Sequence, residues 1–196
     1  MRKLAWVLVI IGIVSAALGT IVWVRGRGEK GFCWACGTAG EHGVARDSSA
    51  GALLSVLASV QADFKEQDRD GNGRKDFWRQ DVAGLYASRA ADGSMLRLIP
   101  IEDAAADDRP ATSYASIPLR VPVWGCWFRA LRHADEAAPD PDRFAFCSFP
   151  DDYPRHGRFT LLVDESKIVW KKDLGHGRGL EAYPADPPKE GWTRLD

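Results

Sequence analysis

Two short stretches of this 196-residue chain carry residue types whose spacing alone could do chemistry. The first is Asp68-Arg69-Asp70-Gly71-Asn72-Gly73-Arg74-Lys75-Asp76. Oxygen side chains at alternate positions, with a Gly permitting a sharp bend, are how a loop wraps a hard cation such as calcium. Asp68, Asp70 and Asn72 would supply side-chain oxygens, Arg74 its carbonyl, and Asp76 a further oxygen, directly or through water. The twelfth position, where calcium-sensor loops place a bidentate Glu, holds Arg79, with Asp81 two residues on. The turn is therefore EF-hand-like at its start only. A solvated Asp/Asn/Gly turn that ends a helix is the alternative.

The second stretch is Cys33-Trp34-Ala35-Cys36. A C-x-x-C pair serves as a redox dithiol, as half of a zinc site, or as a small disulfide. Gly37-Thr38-Ala39-Gly40 follows it, unlike the helix that a thioredoxin-like site requires. His42 is close by, but Cys126 and Cys147 lie far along in expected strands and no second C-x-x-C exists. The missing His after Cys36 removes covalent haem attachment.

Little else points to catalysis. His42, His133, His156 and His176 are scattered, and none stands at a metal or triad spacing. No Gly-rich phosphate loop follows a strand and no Gly-x-Ser-x-Gly elbow occurs. Ser148 falls inside an expected strand. Asp151, Asp152, Tyr153 and His156 could line a pocket, although a polar turn explains them equally simply. The expectation is a protein that is not an enzyme. Twenty-six basic residues against 27 acidic ones leave a net charge of −1, which gives no basic face for nucleic acid.

The elements that must position these residues follow from periodicity. Leu4 to Val24 is uncharged and long enough to span a bilayer as a helix, with Trp6 and Trp23 near its ends. Residues 1–25 are thus expected to be a membrane anchor, inserted through residues 4–24. Residues 26–47 are expected to be a Gly-rich linker. A helix then starts at Asp47 or Ser48, with Leu53, Val56, Leu57, Val60 and Phe64 as its apolar stripe. Ser55, Ser59, Gln61, Asp63 and Lys65 fall on the other side, so one face is buried and one is wet.

After residue 113 the period changes to two. Val123 to Arg132, Arg143 to Phe149, Phe159 to Val163 and Ile168 to Lys171 read as four strands, with a hairpin turn at 164–167. Cys126 with Phe128, and Ala145 with Cys147 and Phe149, mark inner faces. Residues 175–196 are Gly/Pro-rich and read as an extended tail, pinned through Tyr183 and Trp192. The expected fold is α+β, an amphipathic helix on a four-stranded antiparallel sheet spanning 48–174, behind a transmembrane helix.

This order of elements resembles the type IV pilin-like family, and within it the pseudopilins of type II secretion. The likeness is carried by Gln61-Ala62-Asp63-Phe64, the 68–76 turn, and Asp81-Val82-Ala83-Gly84-Leu85-Tyr86. Further along it is carried by Trp127-Phe128-Arg129-Ala130-Leu131, Phe144-Ala145-Phe146-Cys147 and residues 159–165. The resemblance implies a structural or interaction subunit of the bacterial envelope, related to secretion, which self-associates or binds pilin-like partners. It also implies calcium at Asp68, Asp70, Asn72 and Asp76. The expected location is the bacterial inner membrane, single-pass, with a periplasmic C-terminal domain. The apolar run lacks the Glu and the processing site of pilins. The alternative is a thiol- or zinc-handling membrane protein that uses Cys33 and Cys36.

Overall fold

A computed structural model describes residues 39–196 except 112, 118 and 139, with side chains from residue 46 onward. The expected membrane span 4–24 and the pair Cys33 and Cys36 lie outside the described residues. Among the described residues no helix is long and apolar enough to cross a membrane. The single-pass inner-membrane placement therefore rests on no described element, and it is withdrawn.

The long helix α1, Ala39–Gln67, begins well before Asp47. Residues 39–47, expected to be linker, are helical, although Gly40, Gly43 and their charged neighbours break the apolar period. Its buried residues include Ala50, Leu53, Leu54, Leu57, Ala58, Gln61 and Phe64, which follow helical spacing. The stripe is rotated from the expected one. Val56 is half exposed, whereas Gln61 is fully buried.

The helix ends by hydrogen bonding. Arg69 N–H donates to the Phe64 carbonyl at 3.2 Å and Asp68 N–H to that of Lys65 at 3.4 Å. These are the two bonds of a Schellman cap, and they put Asp68 at the left-handed position with φ 46°.

The chain then runs through two short helices, α2 Gly84–Ala87 and α3 Ile101–Ala105, before the sheet. The strands are β1 Cys126–His133, β2 Ala145–Pro150, β3 Thr160–Asp164, β4 Trp170–Lys172, β5 Ala182–Tyr183 and β6 Thr193–Arg194. Their order is β5-β1-β2-β3-β4-β6. The β1–β5 pair is parallel and the others are antiparallel. The expected four-stranded antiparallel sheet is thus corrected to a six-stranded mixed one. The two extra strands come from residues 175–196, whose Gly and Pro content hides strands of two residues.

Burial on both faces explains the sheet's composition. Cys126, Phe128, Phe144, Phe146, Leu161 and Val163 face α1, while Leu131, Ala145, Cys147, Phe149 and Leu162 pack with Tyr183 and Trp192 of the tail. Every residue of β2 is buried, as expected for a strand covered on each side. The two inner faces read from the sequence are therefore opposite faces of one sheet.

Candidate functional site

The 68–76 turn is built outward from the helix cap. Asp68 Oδ2 accepts from Gly73 N–H at 3.0 Å, Asp70 Oδ1 from Asn72 N–H at 3.3 Å, and Asn72 Oδ1 from Arg74 N–H at 2.7 Å. The Asp70 and Asn72 bonds close two consecutive Asx turns, and the Asp68 bond spans the loop from its start. Asn72 Nδ2 also donates to Asp70 Oδ2 at 2.9 Å. Asp68 Oδ1 is buried and has no hydrogen-bond partner.

Burial, and then the nearby Asp68 and Asp76 carboxylates, raise the Asp70 carboxyl above its ordinary range, against the bond from Asn72 N–H. Hard oxygens from Asp68, Asp70 and Asn72 turned over one loop are the donor type that a divalent cation takes. Among the described residues no three or more His, Cys, Asp or Glu stand together as a ready-made metal site. Asp68, Asp70 and Asp76 therefore do not form such a group by themselves, and the Asn72 amide oxygen and the Arg74 carbonyl are the further oxygens the turn offers.

Arg79, at the twelfth position, points elsewhere. Its Nη2 spans both Glu136 oxygens at 2.6 Å. Burial opposes the Glu136 charge, yet the Asp140 N–H and Arg79 hold that carboxyl below its usual range. Asp81 is likewise occupied. Its Oδ1 accepts from Gly84 N–H at 2.8 Å, and its Oδ2 from Ala111 N–H at 2.7 Å and Tyr114 Oη at 2.9 Å.

Beside it, Asp107 Oδ2 accepts from the N–H groups of Val82 and Ala83 at 2.7 and 2.8 Å. Its Oδ1 accepts from Arg109 N–H at 2.8 Å. Burial, seconded by the Asp81 charge, pushes the Asp107 carboxyl up to about 6 despite those bonds. The two aspartates tie the 107–114 loop to the turn before α2. Sequence spacing gave no sign of this pair, 26 positions apart (107 − 81).

The remaining candidates stand apart from one another. His133 Nδ1 lies 2.6 Å from Arg143 Nη2, and its Nε2 lies 3.1 Å from the Phe144 carbonyl oxygen, so both nitrogens are used. His156 Nδ1 meets Asp151 Oδ1 at 2.6 Å, and Tyr153 Oη donates to Asp173 at 3.1 Å. Cys126 and Cys147 are buried free thiols, each pushed up to about 12 chiefly by burial. They face opposite sides of the sheet, so they cannot join each other.

One side of the sheet carries a charged cleft of about 530 Å³, lined by Arg79, Arg109, Arg129, Arg132 and Glu181 among others. Arg129 Nε donates to Asp108 at 2.9 Å and its Nη1 to the Leu180 carbonyl at 2.7 Å. The chain matches no protein-family model, no curated protein and no solved structure.

Proposed function

We propose that the Thr38–Asp196 unit is a non-enzymatic structural or interaction domain in which the 68–76 turn takes a calcium ion. The observation that carries this reading is Asp68. A non-Gly residue in the left-handed region costs about 1–2 kcal/mol, and Gly is the usual occupant of this cap position. Asp68 accepts that cost and also leaves a buried oxygen unpaired. A cation bound by Asp68, Asp70, Asn72 and Asp76 would compensate both, with the Arg74 carbonyl completing the set. Asp70 Oδ2 would exchange the Asn72 amide for the ion. The benefit falls on the junction between α1 and the chain leading to the sheet, so calcium acts here as a clamp rather than a reagent.

The test is thermal unfolding of the full chain in calcium and in excess chelator. A ligand bound only by the folded state raises the midpoint by mass action. A rise in calcium that disappears in the double variant Asp68→Asn with Asp70→Asn supports the site. An unchanged midpoint at millimolar calcium removes it.

A further inference from the structure

The outer edge of β1 is covered at two places and open between them. At one end Phe128 N–H donates to the Ala106 carbonyl at 2.9 Å, and Asp108 N–H donates to the Phe128 carbonyl at 2.7 Å. At the other end β5 pairs with Arg132 and His133. Main-chain groups of alternate strand residues point the same way. Those of Ala130 therefore share the outer edge with Phe128. Among the described residues no backbone bond outside the β1–β2 pairing engages Ala130.

Ala130 lies in the floor of the charged cleft. Around it stand four arginines, of which Arg79 is held by Glu136 and Arg129 by Asp108. Arg79 keeps a buried Nε–H with no acceptor, and Arg132 is exposed. Arg109 and Arg129 share Glu181, at 2.7 and 3.2 Å. The Glu181 side chain is 74% exposed, so it is a carboxylate laid across two guanidinium groups from the solvent side. Arginine forks recognise carboxylates through paired hydrogen bonds, and one carboxylate already occupies the place.

We propose that this gap binds an acidic peptide segment of a partner protein. One extended residue would pair with the N–H and C=O of Ala130, and its acidic neighbours would take Arg132 and displace Glu181 from Arg109. The single open position limits pairing to about one residue, so the arginines supply most of the selectivity. This reading is independent of calcium at the 68–76 turn.

The test titrates the full chain by calorimetry at low salt with an N-acetylated, C-amidated tetraglutamate. Tetraglutamine with the same ends and free glutarate serve as controls. Saturable binding of tetraglutamate is expected, with both controls at least about tenfold weaker. Glu181→Gln removes the internal competitor and should tighten binding several-fold. Arg132→Gln should weaken it by about tenfold, and Arg132→Lys should recover only part of that loss. Both substituted side chains are exposed, so the fold survives each change. Equal binding of tetraglutamine, or of glutarate, overturns the proposal. So does the absence of binding by both the unaltered chain and Glu181→Gln.

Discussion

The buried side chain of Gln61 pairs with the main chain of Trp78 in both directions. Gln61 Nε2 donates to the Trp78 carbonyl at 2.5 Å, and Trp78 N–H donates to Gln61 Oε1 at 3.0 Å. An amide side chain on α1 thus does for Trp78 what a neighbouring strand would do. It anchors the segment that follows the 68–76 turn directly to the helix. Gln61→Leu keeps the volume but leaves both Trp78 groups without partners. Each unpaired group costs about 1–3 kcal/mol, so the loss should be roughly 2–6 kcal/mol by urea unfolding. A loss below about 1 kcal/mol would show that water satisfies Trp78.

Asp68 can be separated into its two roles by substitution. Asp68→Ala keeps the left-handed backbone cost and loses the bond to Gly73, and should destabilise the calcium-free protein by about 1–2 kcal/mol. Asp68→Gly loses the same bond but removes the backbone cost, and should be more stable than Asp68→Ala by about 1 kcal/mol. Equal stabilities in chelator would mean that the φ of 46° carries no cost.

Gly84 is small for steric reasons. A Cβ there would lie 2.1 Å from Trp78 Cζ2 and 2.6 Å from Asp81 Oδ1. Gly84→Ala should therefore cost about 2 kcal/mol or more and disturb the Trp78 fluorescence. A fully stable Gly84→Ala with unchanged emission would show that the indole moves aside freely.

Stability should rise as the pH is lowered from 7 toward 5. Asp107 has its carboxyl raised to about 6, against 3.8 unfolded, so between these values the folded state binds more protons. Its contribution is complete below about 4 and lost as the pH rises through 6, and amounts to on the order of 2–3 kcal/mol. Asp47 is raised to about 6 by the same cause, burial, and acts in the same direction. Glu136, Asp135 and Asp173 are held below their ordinary ranges, so their stabilisation is lost in more acidic solution. The resulting maximum near pH 5 should flatten in Asp107→Asn. An unfolding free energy that is level from pH 7 to 5 would contradict this.

The parts of the molecule that were legible in the sequence are those whose signal is periodic. Four strands fall where apolar residues alternate, and α1 is visible wherever its leucines recur. What escaped has no local signature. Strands β5 and β6 are two residues long, too short for any period. Gln61 reads as a surface residue because polarity alone cannot show that Trp78 needs a partner. The 68–76 turn was visible as a ligand pattern, but its backbone cost was not. Arg109, Arg129 and Arg132 converge only because the 106–108 segment and β5 both lie along the outer edge of β1, which local sequence cannot show.

The tail has a further consequence, for biosynthesis. Both outer strands of the sheet, β5 and β6, follow β1 to β4 in the chain and are therefore translated after them. While residue 194 is still within the ribosome, β1 and β4 have raw edges and the face formed by Leu131, Cys147 and Leu162 lacks Trp192. The nascent chain can form α1 and the first four strands, but it cannot close the sheet. Completion is therefore a late event, and a chain halted before residue 182 would present two adhesive strands to its neighbours.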